Sequence, residues 1–171
     1  MGKISTKKDK NIYQRTREKL GLTREKASEV LEVIPPERIE RIESDKFLPH
    51  PDEVMVMAQG YKVPHLCNYY CANQCPIGQE YVPEIKIKDL SQIVLEVLAS
   101  LISLNKQKDR LIEITADGEI SDEEVKDFIH IQEELEKISI TVETLQLWVE
   151  KMLATGMIDE EKYNQIKNQE R

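Results

Sequence analysis

From residue 87 onward the apolar positions recur with a long helical period. In the first 60 residues they come in short clusters cut by turn residues. Ile87, Leu90, Val94, Val97, Leu101, Leu104 and Leu111 are spaced by three and four, with Lys108 the single break. That spacing lines one side of a single long helix. Ile93, Leu98 and Ile102 widen the stripe, which predicts more than one partner surface. A turn at Ala116-Asp117-Gly118 follows. Ser121 as N-cap opens a second long helix, seamed by Phe128, Ile131, Leu135, Ile138, Val142, Leu145, Val149 and Met152. The short turn between the two predicts antiparallel packing, a helical hairpin. Gly156 ends the second helix, and Asp159 caps a brief last one with Tyr163 and Ile166 facing inward.

The earlier clusters predict shorter helices. Asn11 caps a helix to about Lys19, with Ile12 and Leu20 near one face and Gly21 ending it. Thr23 caps the next, whose core side is Ala27, Val30 and Leu31. Pro35 and Pro36 stop that helix and open another, since proline is tolerated in a first helical turn. In it Ile39 and Ile42 are three apart and face inward. Asp52 caps a fourth, running through Val54, Met55 and Met57 to Ala58 and ended by Gly60. Residues 61–86 contain Pro64, Pro76, Pro83 and all three cysteines, and are expected to be irregular. The expectation is an all-α chain with a compact domain over 1–70, a Cys/Pro-containing connector over 71–86, and a hairpin over 87–171.

Composition adds a polarity to this layout. Charged residues make up 33% and aromatics 5% of 171 residues, which favours helices. The net charge of −8 is uneven: residues 1–50 hold 12 Lys and Arg against 9 Asp and Glu, residues 51–171 hold 12 against 23. Within residues 1–26 the balance is 9 to 3. A basic head on an acidic body suits contact with phosphates at one end. The Lys-rich start has no apolar core and no apolar run reaches membrane-spanning length, so a cytoplasmic protein without membrane contact is expected. Disulfides are then disfavoured, and the cysteines are thiols or metal ligands.

The stretch Leu22-Thr23, with small Ala27 and Ser28 within the first helix and the ending Ile39-x-x-Ile42-Glu43, resembles the helix-turn-helix of lambda repressor/Cro-like (XRE) regulators. The match covers roughly the first 40% of the chain. It implies a five-helix DNA-binding domain over about residues 11–70, with the second helix of the pair in the major groove of double-stranded DNA. Carried over by position, Pro36, Glu37, Arg38 and Arg41 would face base edges, with Glu40 beside them. Thr23, Arg24 and Lys26 would hold the phosphate backbone, and Arg15, Arg17 and Lys19 would add positive charge nearby. The turn is one residue longer than the family pattern, near Glu32, and Pro35 stands at the cap position.

Cys67, Cys71 and Cys75 recur every fourth residue, with His65 two residues before the first. Thiols packed as small apolar groups are the simpler expectation; zinc or iron–sulfur ligation, or redox sensing, is the alternative. The Asp117–Glu124 segment lacks the first acidic ligands of a calcium loop and is expected to be a capped turn. No nucleophile–base pairing and no glycine-rich phosphate loop is visible, so no enzyme is expected. The expected function is a sequence-specific transcriptional regulator, a homodimer through its C-terminal helices, with effector unknown. The rival is a helix-turn-helix fold turned to protein interaction.

Overall fold

The structure is a computed structural model that describes residues 10–169. Among these residues it is all-helical, with nine helices and no strand. The chain divides into two compact units. One holds the described parts of 1–84 and 150–171, the other 85–149.

The first unit is built from six short helices, α1 (Ile12–Lys19), α2 (Arg24–Leu31), α3 (Pro36–Glu43), α4 (Pro51–Gly60), α5 (His65–Asn73) and α6 (Pro76–Tyr81). Local chemistry sets their ends. Asn11 accepts from the Gln14 amide at 3.0 Å, and Thr23 accepts from the Lys26 amide at 3.2 Å. Each satisfies an amide that the first helical turn leaves bare. Asn11 also donates to the Ile42 carbonyl at 2.7 Å and to Asp45 at 2.9 Å, which ties the start of α1 to the end of α3. Apolar side chains from α1 to α5 close one core, with Tyr13, Leu31, Ile39, Ile42, Met57 and Leu66 at its centre. The Tyr13 ring meets Tyr69 edge to face at 6.3 Å, and its hydroxyl donates to Gln74. Burial keeps that hydroxyl protonated far above the ordinary tyrosine range.

Several local expectations change. Segment 61–86 is largely helical, because Pro64 and Pro76 stand where helices begin and not where they break. Leu66 is wholly buried. Gly78 lets α6 lie on the backbone of α5: a Cβ there would sit 2.1 Å from the Cys71 carbonyl oxygen. α4 ends at Gly60, its last helical residue, but Lys62, at φ 57°, makes the left-handed turn. A Cβ on Gly60 would meet Leu31 at 2.6 Å. α4 is opened by His50 and Pro51 and not by Asp52, with the His50 amide donating to Glu53 at 2.7 Å. Leu20, Val30 and Met55 are exposed.

The second unit is dominated by α7 (Leu90–Ile114), capped by Asp89, and by most of α8 (Val125–Ala154). Arg110 of α7 donates to Asp127 of α8 at 2.7 Å, and the Ser103 hydroxyl of α7 reaches Glu134 of α8. Lys137 and Ser103 together hold the Glu134 carboxyl below its ordinary range. Ile93, Ile114 and Ile131 are buried, while Leu90, Val94, Leu101, Leu135 and Val142 of the expected seams are exposed. The covered side of α7 is rotated from the expected one and runs through Ile93, Val97, Ser100, Leu104, Gln107, Leu111 and Ile114. The last helix, α9 (Glu160–Gln169), has no buried residue; Ile166, expected inward, is exposed. No helix among the described residues is long and apolar enough to cross a membrane.

Candidate nucleic-acid interface

α2 and α3 are joined by a turn that absorbs its extra residue through an unusual backbone. Glu32 has φ 58° and ψ −45°, and the Val33 amide donates to the Leu31 carbonyl at 2.6 Å. This is a three-residue γ-turn of the rare positive-φ kind, which costs a residue with a Cβ. It throws Val33 into solvent and drops Ile34 into the core.

The relation of α3 to α1 and α2 is fixed by charge as well as by packing. Arg17 of α1 is buried and grips Glu43 of α3 with two bonds, at 2.5 and 2.8 Å, while donating to the Leu22 carbonyl at 2.5 Å. Arg24 of α2 donates to the same carboxylate at 2.9 Å. One buried carboxylate thus holds guanidinium groups from two helices. Such a clasp fixes an arrangement, because leaving either charge buried alone is costly. Arg17, expected to add charge to the DNA face, is spent inside the fold.

Arg38, expected at a base edge, is also engaged. It holds Glu53 of α4 through two bonds at 2.6 Å and donates to the Leu48 carbonyl at 3.1 Å. The guanidinium holds the Glu53 carboxyl below its usual range. Arg41 is exposed, with its guanidinium 5.9 Å from the centre of the Phe47 ring. Among the described residues it makes no ion pair with Glu37, although their spacing would allow one. Glu37 and Glu40 are exposed and Pro36 is half-buried, so the bare side of α3 carries two carboxylates and one guanidinium. Arg15, Lys19 and Lys26 are exposed, and Arg24 is half-exposed. At the start of α2, the Glu25 carboxyl is held below its ordinary range by its own backbone amide and by Thr23, and it stands where a phosphate would bind.

The arrangement can accept from cytosine amino groups through Glu37 or Glu40 and donate to guanine or phosphate through Arg41. It offers no strong field. Residues 10–84 hold 10 Lys and Arg against 12 Asp and Glu, and Lys10 is paired with Glu18 at 2.7 Å. The rest of the basic head, Lys3, Lys7 and Lys8, lies outside the described residues. The roles of Glu43 and Glu53 were not visible in the sequence. The nearest signal was Glu43 itself, which ends the Ile39-x-x-Ile42-Glu43 stretch.

The four candidate metal ligands are not gathered. Cys67 and Cys71 lie one turn apart on α5, and Cys75 stands just before α6. All three are free, half-buried thiols. Among the described residues no three His, Cys, Asp or Glu side chains form a group that could hold a metal, and His65 is not brought into one with the thiols. Burial, and then Cys71 nearby, pushes the Cys67 thiol up. Cys67 packs against the apolar core instead.

Compared with known protein families, with characterised proteins and with solved structures, the chain matches none.

Proposed function

We propose that this chain is a DNA-binding transcriptional regulator of the helix-turn-helix type, with α2 and α3 as the helix pair of a lambda-repressor-like domain and with α7 and α8 as an antiparallel hairpin through which two copies join. One observation carries the reading. α3 is locked at its inner side by Ile39, Ile42 and the Arg17–Glu43–Arg24 clasp, while its outer side is left bare. A short helix held rigidly and presented outward is what major-groove docking needs. On this reading Arg41 and the glutamates beside it carry base preference. Thr23, Arg24 and Lys26 approach phosphate, with Arg15 and Lys19 close in sequence. Lys3, Lys7 and Lys8 supply most of the attraction that the described residues of this unit lack. Acid on the reading helix weakens non-specific binding, so discrimination comes at some loss of affinity.

A specific observation favours the rival. Val33, Phe47, Leu48 and Met55 are exposed on the same small unit, and α3 between them is acidic. A protein partner would find apolar contact there, and a duplex would not.

Selection of duplexes from a random pool, followed by anisotropy titrations between 50 and 200 mM salt, separates the two. The regulator binds a selected sequence and loses affinity steeply with salt, and replacing Lys3, Lys7 and Lys8 by Gln flattens the slope by about 0.9 per contact removed. Arg41→Ala weakens the selected site by about 1–3 kcal/mol and relaxes one base position. Failure to select any duplex at low salt would leave the protein-binding reading in its place.

A further inference from the structure

We propose that a second copy of this chain packs antiparallel against the outer side of α7, with Leu98 on the two-fold axis. This deepens the pairing of copies stated above and rests on that pairing, not on DNA binding. Between Leu90 and Asn105 the sequence carries a single charge, Glu96, and Lys88 neutralises it at 2.6 Å. Within this stretch Val94, Leu95, Leu98, Leu101 and Ile102 are 44–67% exposed. Beside Ile93, Val97 and Leu104, the covered side of the same helix holds Ser100, Ser103 and Gln107, and among the described residues the enclosed Gln107 side-chain oxygen has no partner. Facing helix α8 buries Glu134, Thr141 and Thr144. Between Leu90 and Asn105, α7 is therefore at least as apolar where it is bare as where it is covered. A helix pair complete in itself has the opposite arrangement.

The pattern of the bare side identifies what covers it. Counting from Leu98, apolar residues stand three and four positions away in both directions: Leu95 and Val94 before it, Leu101 and Ile102 after it. A two-fold contact needs a surface complementary to itself. Two α7 helices crossing antiparallel at Leu98 set Leu95 against Leu101 of the partner subunit and Val94 against Ile102 of the partner subunit. On α8, Leu135 and Val142 extend the surface. The pairs Arg110–Asp127 and Ser103–Glu134 bring Ile102 level with Leu135 and Leu95 level with Val142. With Leu90, these eight side chains are 40–67% exposed, enough to supply the apolar share, a little over half, of the roughly 800 Å² each partner gives to a standard interface. A lipid surface fits less well. No cation lies between Leu90 and Asn105, and α8 holds three lysines against six acids, so anionic headgroups are not attracted.

Sedimentation equilibrium of the full chain tests the contact. The parent is expected to be a dimer. Leu98→Glu sets two carboxylates against each other on the axis and should weaken pairing by about 100-fold, as should Leu98→Lys. Mixed in equal amounts, the two variants should pair again, because each now meets the opposite charge. Helicity by circular dichroism should equal that of the parent, since Leu98 is half in water already. An independent arm uses Leu95→Glu, which loosens the dimer, and Leu95→Glu with Leu101→Lys in one chain, which restores it. A parent that is monomeric at every concentration, including one that instead floats with zwitterionic or anionic vesicles, overturns the proposal. So does a Leu98→Glu chain that pairs as tightly as the parent, or a Glu/Lys mixture that stays apart. A dimer that binds no duplex would sink the regulator and leave this contact standing.

Discussion

The short helices α1 to α6 and the long helices α7 and α8 both carry apolar faces and meet opposite outcomes. In the first group the chain satisfies itself. Ile39, Ile42 and Leu66 are all but sealed, and the buried carboxylate of Glu43 has two guanidinium partners. In the second, leucines stand in water and, among the described residues, the enclosed Gln107 oxygen has no partner. An amphipathic repeat guarantees that a helix wants a cover, but it does not say whether the cover comes from the same chain. Core substitutions should break this contrast most strongly. Ile42→Ala is expected to cost about 2–5 kcal/mol whatever the protein concentration, because a packed site cannot fully collapse around the missing atoms. Leu98→Ala at high dilution should cost under about 1 kcal/mol, since half of that side chain is already hydrated. Its cost should grow as the protein is concentrated and pairing contributes. Chemical denaturation of both variants at two concentrations checks this. An equal, concentration-independent loss would mean that the two regions are held by the same kind of core.

Much of the first region was legible because its signals are local. Asn11, Thr23 and Pro35 mark helix starts by chemistry confined to a few residues, and the inward positions Ala27, Leu31, Ile39, Ile42, Val54 and Met57 follow from one period. The stretch around α5 and α6 departs from its expected irregularity because proline has two meanings. It breaks a helix from within and opens one from its first turn, and only packing, here that of Leu66 and Gly78, decides between them. The candidate interface was legible as a segment but not as chemistry. Arg17 finds Glu43 26 residues away and Arg38 finds Glu53 15 away, and no local rule forecasts such pairs. The available local rule offered Glu37 with Arg41, which do not pair. On α7 two apolar stripes of nearly equal strength were present. Val97, Leu104 and Leu111 belong to both the expected seam and the covered side, so the spacing alone could not choose between them.

The Arg38–Glu53 pair sharpens the comparison at intermediate cost, because it fastens α3 to α4 within the closed region. The Glu53 carboxyl is depressed first by Arg38, against desolvation, with help from the His50 amide. In the unfolded chain it titrates near an ordinary glutamate value of about 4.3. A carboxyl lowered on folding adds stability above that value and loses it as pH falls through the lower folded value. Arg38→Ala should therefore cost about 1–2 kcal/mol at pH 7. That difference should shrink toward zero as pH falls below about 4, measured as unfolding free energy against pH for both proteins. The same variant should leave the pairing of copies unchanged, because the ion pair belongs to the self-sufficient region. A pH-independent difference would mean that Arg38 contributes through its contact with the Leu48 carbonyl and its packing instead.

The smallest effect, and the most local, concerns Glu32. Its positive φ belongs to the α2–α3 turn, and its side chain is exposed, so nothing in the core depends on it being glutamate. Glycine would relieve a strain of about 1–2 kcal/mol for a residue with a Cβ, but would add roughly 0.5–1 kcal/mol of chain entropy to the unfolded state. Glu32→Gly should accordingly raise stability by about 0.5–1 kcal/mol. Removing one carboxylate beside α3 should also strengthen duplex binding at low salt, if α3 is the reading helix. The two consequences are separable: thermal unfolding reads the first and anisotropy the second. A gain in stability with no change on DNA would leave the strained turn as a device for aiming α3 and count against α3 as the surface that meets phosphate.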